Sequence, residues 1–353
     1  MNILLLSPYD AGSHRYWREG MQRMLREHNV TPVCLPGRHF SWRVRGNSLT
    51  LAHEPLVHQD YDLVIATSLT DLSALRGFVP TLGGVPTILY FHENQFAYPT
   101  RGDDPHQVDR QMTSIYSAVA ADRLVFNSDY NRQSFLAGAA GLLGKMPDGV
   151  PPGLTSRLES KTDVIPVPLA PGSFRDSQAE AGGRAIVWNH RWEYDKGTLR
   201  LQEILAELIR RGGDFTVHLL GQQFRGEDAV MRENQALLES SGHLGHCGFL
   251  DDREAYLALL AQSHLVLSTA NHEFQGISVQ EAMACGCVPV VPDDLAYPGY
   301  VGDAHRYGSI GAACDKLLEP LSGIPDTTGI LDENAAGSRW ATEIERCDTA
   351  VAY

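Results

Sequence analysis

The chain has 353 residues, room for two domains of ordinary size, and its 43% hydrophobic and 20% charged residues are those of a globular protein. No apolar stretch reaches the roughly 18–20 residues that span a bilayer, and the opening MNILLLSPYD lacks the basic flank of a signal peptide, so a cytoplasmic chain without membrane attachment is expected. The formal charge of −14 is uneven, with 16 Lys/Arg against 18 Asp/Glu in residues 1–180 and 13 against 25 in residues 181–353; a polyanionic partner is therefore expected on the first half.

In chain order, NILLLSP predicts a buried first strand, and Gly12 and Ser13 open a helix directly after it. A Gly there lets a phosphate approach the backbone N–H groups of a helix N-terminus, although one Gly equally serves a tight turn. His14 reads as an exposed first-turn residue. YDLVIAT, PTILYFH and DRLVFNS are further strands, separated by helical patterns such as VDRQMTSIYSAVAA. This alternation predicts a parallel sheet with helices on both faces. His92, Glu93 and Asn94 leave the third of these strands together, and a His there can donate to or accept from a bound sugar.

IPVPLAPGSFRDSQAEAGGR has three prolines, three glycines and no hydrophobic period, which reads as an interdomain linker. Alternation then resumes with RAIVWNH, LRLQEILAELIRRG, FTVHLLG, DREAYLALLAQ, HLVLSTA, a helix after Gly276, and CVPVVPD. The predicted organisation is a first domain over 1–170, a linker over 171–184, a second domain over 185–335 and a terminal helix over 336–353 that could pack back toward the first domain. Two doubly wound α/β domains of this kind, facing each other, bind ligands at the carboxyl ends of their strands. The six cysteines are scattered, with no spacing for a disulfide framework or zinc site, and Cys285 and Cys287 read as packing residues.

Two turns of the second half carry chemistry. In VWNHRWEYDKG, Arg191 offers a planar fork of donors and Lys196 a mobile charge, a pairing that suits a diphosphate leaving group. The competing reading is a solvated loop with Arg191 and Lys196 paired to Glu193 and Asp195. In NHEFQGISVQEAMACG, Glu273 precedes a helix beside Phe274 and Gly276, where a carboxylate can accept two sugar hydroxyls. The amides from Gly276 and Ile277 onward would meanwhile face phosphate. Ser278 and Glu281 also fit a capping box.

Taken together, Glu273-Phe274-x-Gly276 followed by Glu281-Ala-Met-Ala-x-Gly resembles the donor signature of retaining family 4 glycosyltransferases of the GT-B fold, and the Arg191…Lys196-Gly197 loop is similar to their diphosphate clamp. YDAGSH, RHFSWRVR, LYFHENQFAYP, VFNSDYNRQSF, NHRWEYDKG and HEFQGISVQEA together resemble the tRNA-queuosine mannosyltransferase family over roughly residues 1–300. That resemblance implies two Rossmann-like domains facing across a cleft and transfer of α-mannose from GDP-mannose to the cyclopentenediol of queuosine in a tRNA anticodon. It implies a front-face retaining reaction with no metal and no cofactor. Glu273 would bind sugar hydroxyls, Glu281 the ribose, Arg191 and Lys196 the diphosphate, Gly12 and Ser13 would approach it through backbone, and His92 would lie beside the sugar. On the acceptor side, Arg38, Arg43 and Arg45 interleave with Phe40 and Trp42, a mixture suited to phosphate contacts and base stacking, or else a surface hairpin or loop. Glu93, Asn94, Arg101 and Arg110 complete the acceptor candidates.

Two other readings compete. One is a GT-B glycosyltransferase using another nucleotide sugar and a lipid, polysaccharide or small metabolite. The other is a protein that binds a nucleotide or sugar without transfer. The base is not legible in the letters around GHCGFLDD, and nothing in the sequence speaks to oligomeric state.

Overall fold

The computed structural model describes residues 1–98, 106–180, 183–223, 229–319 and 325–350. The chain divides into two compact units, residues 1–168 with 331–353 and residues 169–330.

The first unit is built on β1 (Asn2–Asp10), β2 (Asn29–Pro36), β3 (Leu63–Thr67), β4 (Thr87–Phe91), β5 (Arg123–Phe126) and β6 (Thr162–Val164), parallel in the order β2-β1-β3-β4-β5-β6. Ile3–Leu6, Leu63–Ala66 and Ile88–Phe91 are buried on both faces, so these strands read as unbroken apolar runs rather than alternating ones. Its helices are α1 (Gly12–Met24), α2 (Phe40–Leu51), α3 (Leu72–Phe78), α4 (Gln107–Ala120), α5 (Asp129–Leu143) and α6 (Leu154–Ser160).

The second unit repeats the plan. Strands β7 (Arg184–Asn189), β8 (Phe215–Leu220), β9 (Leu244–Gly248), β10 (Leu265–Leu267), β11 (Val288–Pro292) and β12 (Arg306–Tyr307) run in the order β12-β11-β10-β7-β8-β9. Helices α7 (Thr198–Arg211), α8 (Ala229–Ser241), α9 (Arg253–Gln262), α10 (Ile277–Ala284) and α11 (Ile310–Leu318) accompany them.

The last helix, α12 (Glu333–Ala350), belongs to the first unit. Ala336, Trp340, Ile344 and Cys347 recur at helical spacing and are buried. Trp340 packs on Trp17 and Tyr90, with ring centroids 6.3 and 5.6 Å apart. Arg23 pairs with Glu333 at 2.6 Å and Arg123 with the buried Glu343 at 2.5 Å. α12 thus closes over the same aromatic cluster that holds His92.

Several sequence readings change. Residues 171–180 are not a free linker: Arg175 donates its backbone N–H to Ala284 and its guanidinium to Glu254, and Gln178 donates to Ala261, so this stretch is bound into the second unit. β2 was hidden by Pro32 and Pro36, which an edge strand tolerates because its outer side needs no ladder bonds. Residues 40–51 form a helix, not a hairpin or loop. α8 and the edge strand β9 also went unread, β9 because its Gly-His-Cys-Gly letters lack the apolar run that marks a buried strand. Among the described residues no helix is long and apolar enough to cross a membrane.

Candidate active site

In the second unit, the turn after β7 and the turn after β10 are stitched together by backbone. Asn271 and His272 donate their N–H groups to the Asp195 carbonyl, and Thr269 Oγ1 donates to the Lys196 carbonyl. Gly197 makes this approach possible: its φ is +69°, and a Cβ there would stand 1.8 Å from the Thr269 carbonyl oxygen. The seam delivers Lys196 to Glu273. Lys196 Nζ lies 3.0 Å from Glu273 Oε2, 3.2 Å from Asp195 Oδ2 and 3.2 Å from the His272 carbonyl.

Arg191 joins from the same loop. Its side chain is 51% exposed, with Nη1 3.0 Å from Glu193 and Nη2 3.7 Å from Asp195. Asp195 therefore touches both cations, and residues 191, 196 and 273 form one cluster. Arg191 and Lys196 are paired to loop carboxylates, as the competing reading of this loop expected, but Lys196 is buried rather than solvated and also meets Glu273. Burial pushes the Glu273 carboxyl up, but Lys196, His190 and the Gln275 N–H together outweigh it and bring it down to about 2. Burial opposes the charge on Lys196, and Glu273 with Asp195 more than restores it. The pair is ionised at neutral pH. His190, at the end of β7, is lowered to about 4 by burial and by Lys196, so its ring is neutral.

The turn before α10 differs from its capping-box reading. Gly276, at φ +83°, is itself the N-cap, which puts Ser278 inside the first turn. Ser278 Oγ meets His190 Nδ1 at 3.2 Å instead of a cap N–H. Glu281 turns away from the cap, pairing with Arg253 at 2.5 Å and accepting from the Tyr256 hydroxyl at 3.1 Å. Phe274 is buried edge-on to His272 at 4.5 Å and Ile277 packs on the core, so both hold the turn through side chains that point into protein. A pocket of about 340 Å³ is lined by Asn189, His190, Arg191, Arg253, Tyr256 and Glu281, among others. Arg191 and Glu281 thus share one hollow.

In the first unit, Gly12 and Ser13 are exposed at the start of α1, with open space where a Gly12 Cβ would stand. His14 is not exposed as the sequence suggested. It is buried, with Nε2 3.5 Å from Glu93 Oε2 and its ring 4.3 Å from that of His92. His92 sits among Trp17, Tyr90 and His14, and burial, then His14, holds its pKa well below the usual histidine value. Its Nε2 and the Nδ1 of His14 are buried without a hydrogen-bond partner among the described residues. Asn94 is spent on the fold: its amide nitrogen donates to Asn131 and Ser134, and its oxygen accepts from the N–H groups of Phe96 and Ala97. Both ends of the Asn94 side-chain amide are thus engaged within the first unit.

On α2, Trp42 is 56% exposed, Arg45 is exposed and Arg43 is half-buried; Arg38, just before α2, is exposed. Arg45 donates to Thr113 Oγ1 at 2.7 Å. Arg110 is half-buried on α4, and Arg101 lies outside the described residues. Sequence reasoning missed His190, Arg253 and Tyr256, read His14 as exposed, and read Asp195 only as a loop partner of Arg191 and Lys196, from the alternating charges of Arg191-x-Glu193-x-Asp195-Lys196.

Residues 173–316 match the family described as glycosyl transferases group 1. The fold agrees: the UDP-forming α,α-trehalose-phosphate synthase of Burkholderia xenovorans superposes with a TM-score of 0.69 at 15% identity, covering 100% of this chain and 99% of that one. Anabaena HepE in complex with UDP gives 0.63 at 15%, covering 100% and 98%. Both domains are therefore those of a GT-B glycosyltransferase. Residues 2–169 match the family described as tRNA-queuosine alpha-mannosyltransferase N-terminal. The Drosophila melanogaster tRNA-queuosine alpha-mannosyltransferase is 31% identical over 329 residues, 90% of this chain and 86% of that protein. A GDP-mannose:cellobiosyl-diphosphopolyprenol alpha-mannosyltransferase of Xanthomonas campestris is 24% identical over 216 residues, 60% of this chain and 50% of that one. The chain belongs to the tRNA-queuosine alpha-mannosyltransferase family, and it is a glycosyltransferase.

Proposed function

We propose that this chain transfers mannose from GDP-mannose, with retention and without a metal, to the cyclopentenediol of queuosine in a tRNA anticodon loop. The observation that carries the donor side is the buried Lys196–Glu273 pair, joined through Asp195 to the exposed Arg191. The donor is read from relatives: the Xanthomonas protein is named for GDP-mannose and the Drosophila protein for queuosine in tRNA.

Lys196 and Arg191 would meet the negative charge that builds on the diphosphate as the sugar leaves. Fixed positive groups aimed at developing charge stabilise it without reorganising at the moment of reaction. Arg191 is already paired with Glu193, so binding the diphosphate exchanges one anion for another on an exposed, mobile side chain. Glu273, ionised and held by Lys196, would accept sugar hydroxyls, and Glu281 the ribose. In the transfer, the bond from the sugar's anomeric carbon to phosphate oxygen breaks and one to the acceptor oxygen forms on the same face. The acceptor proton passes to the departing phosphate oxygen, giving GDP and the mannosylated nucleoside.

In the first unit, neutral His92 suits a hydroxyl rather than a phosphate, and the amides at Gly12 and Ser13 suit an anion. Trp42 with Arg43 and Arg45 on α2, and Arg38 just before it, offers a stacking side chain near cations, on the half of the chain that is nearly neutral. Incubation with GDP-mannose or UDP-sugars, and with tRNA bearing or lacking queuosine, followed by mass measurement of the nucleosides, tests the reading. The expected result is one added hexose on queuosine, only with GDP-mannose and only in queuosine-bearing tRNA. Addition to another acceptor, with none to queuosine, would reject it.

A further inference from the structure

The pocket in the second unit contains a hydrogen-bond chain with a fixed direction. Asn189, at the end of β7, donates from Nδ2 to the Tyr256 hydroxyl at 3.0 Å and to the Ser278 carbonyl at 2.7 Å. An amide nitrogen only donates, so the Tyr256 oxygen accepts and its own proton is free for Glu281 Oε2, 3.1 Å away. Burial, reinforced by Glu281, holds the Tyr256 hydroxyl well above the usual tyrosine range, so the proton stays on it. The other carboxylate oxygen, Oε1, lies 2.5 Å from Arg253 Nη2, and Arg253 is itself braced by donating to Ser173 Oγ and lying over the Tyr256 ring at 5.4 Å.

Each oxygen of Glu281 thus has one fixed donor, which sets the plane of the carboxylate and leaves lone pairs on both oxygens. Two carboxylate oxygens match two hydroxyls on adjacent carbons. Resting on the donor reading of this unit, we infer that Asn189, Tyr256 and Arg253 are positioning residues that set Glu281 to grip the vicinal diol of the nucleotide ribose. The ribose then becomes a point of selection, and the chain favours ribonucleotide over deoxyribonucleotide donors. None of the three needs to touch the sugar being transferred.

The test is calorimetric binding by the full chain of GDP, 2′-deoxy-GDP, UDP and 2′-deoxy-UDP, so that the choice of base does not decide the outcome. The unaltered chain is expected to prefer the ribo form of whichever base it takes by about tenfold or more, the size of a hydrogen bond to a charged group. Tyr256→Phe keeps the ring and removes the directed proton. It should cut that preference to about threefold or less while affinity for the deoxy form stays the same. Arg253→Gln, at a side chain 45% exposed and so able to change without unfolding the unit, should do likewise. Equal losses for ribo and deoxy forms would show a merely structural role and overturn the inference, as would an intact preference in both variants. Nucleotide binding without ribose preference in the unaltered chain defeats this inference alone. Failure to bind any of the four defeats the donor reading beneath it.

Discussion

The two polar clusters of this protein, one in each unit, sit at equivalent places, after strands at the carboxyl edge of a parallel sheet, yet they are built oppositely. In the second unit Lys196, Arg191, Asp195 and Glu273 are ionised and compensate one another, so charge is kept in a buried place by pairing. In the first, His92 lies among His14, Trp17 and Tyr90, and burial strips its charge instead. In the proposed transfer a paired cation would answer an anionic leaving group and a neutral ring a hydroxyl; one architecture, used twice in one chain, keeps charge by pairing in one unit and removes it by burial in the other.

The contrast breaks most visibly at Lys196. Lys196→Met should lower kcat/KM by about 10³-fold, the effect of removing a fixed charge from a transition state. It should also destabilise the second unit by about 3–5 kcal/mol, because Glu273 is left buried without its partner. Steady-state kinetics and denaturant unfolding read the two effects. Trp340→Ala should cost about 3–5 kcal/mol by opening a cavity against Trp17 and Tyr90, and should move the first unit's unfolding transition while leaving nucleotide binding by the second unchanged.

Acid sharpens the difference further. His190 has a folded value of about 4 against an ordinary 6.5, so the unfolded chain binds the proton first. Stability is therefore full above pH 6.5 and falls by up to about 3 kcal/mol toward pH 4. His92, also lowered, adds a loss of the same sign below pH 6.5, and His92→Phe should remove it from a pH series of unfolding curves. Glu273 behaves as a depressed carboxyl: its contribution is present above pH 4.5 and lost as the pH falls toward 2. Binding of GDP-mannose, whose diphosphate does not titrate in this range, should accordingly be flat from pH 8 to 5, and an inflection assigned to the Lys196–Glu273 pair would contradict an ionised pair. The smallest expected effect is on α2, where Trp42→Ala should raise KM for tRNA about tenfold with little change in kcat, as loss of one base stack would.

The sequence by itself determined the twofold α/β plan, because strands buried on both faces must be continuous apolar runs, and Ile3–Leu6 or Ile186–Trp188 cannot be hidden. It also marked Arg191, Lys196 and Glu273, since charged residues crowding a turn after such a run stand out. What it could not reach is what each polar atom meets. Asn94 and His92 are neighbours after the same strand, yet the side chain of one is bonded to its own turn and to α5, while the other keeps a ring nitrogen with no partner among the described residues. Glu281 carries the letters of a capping box and answers Tyr256 and Arg253, because Gly276 moved the cap two residues back. Those outcomes depend on contacts between residues far apart along the chain. Local spacing carries no information about them, and only packing decides them.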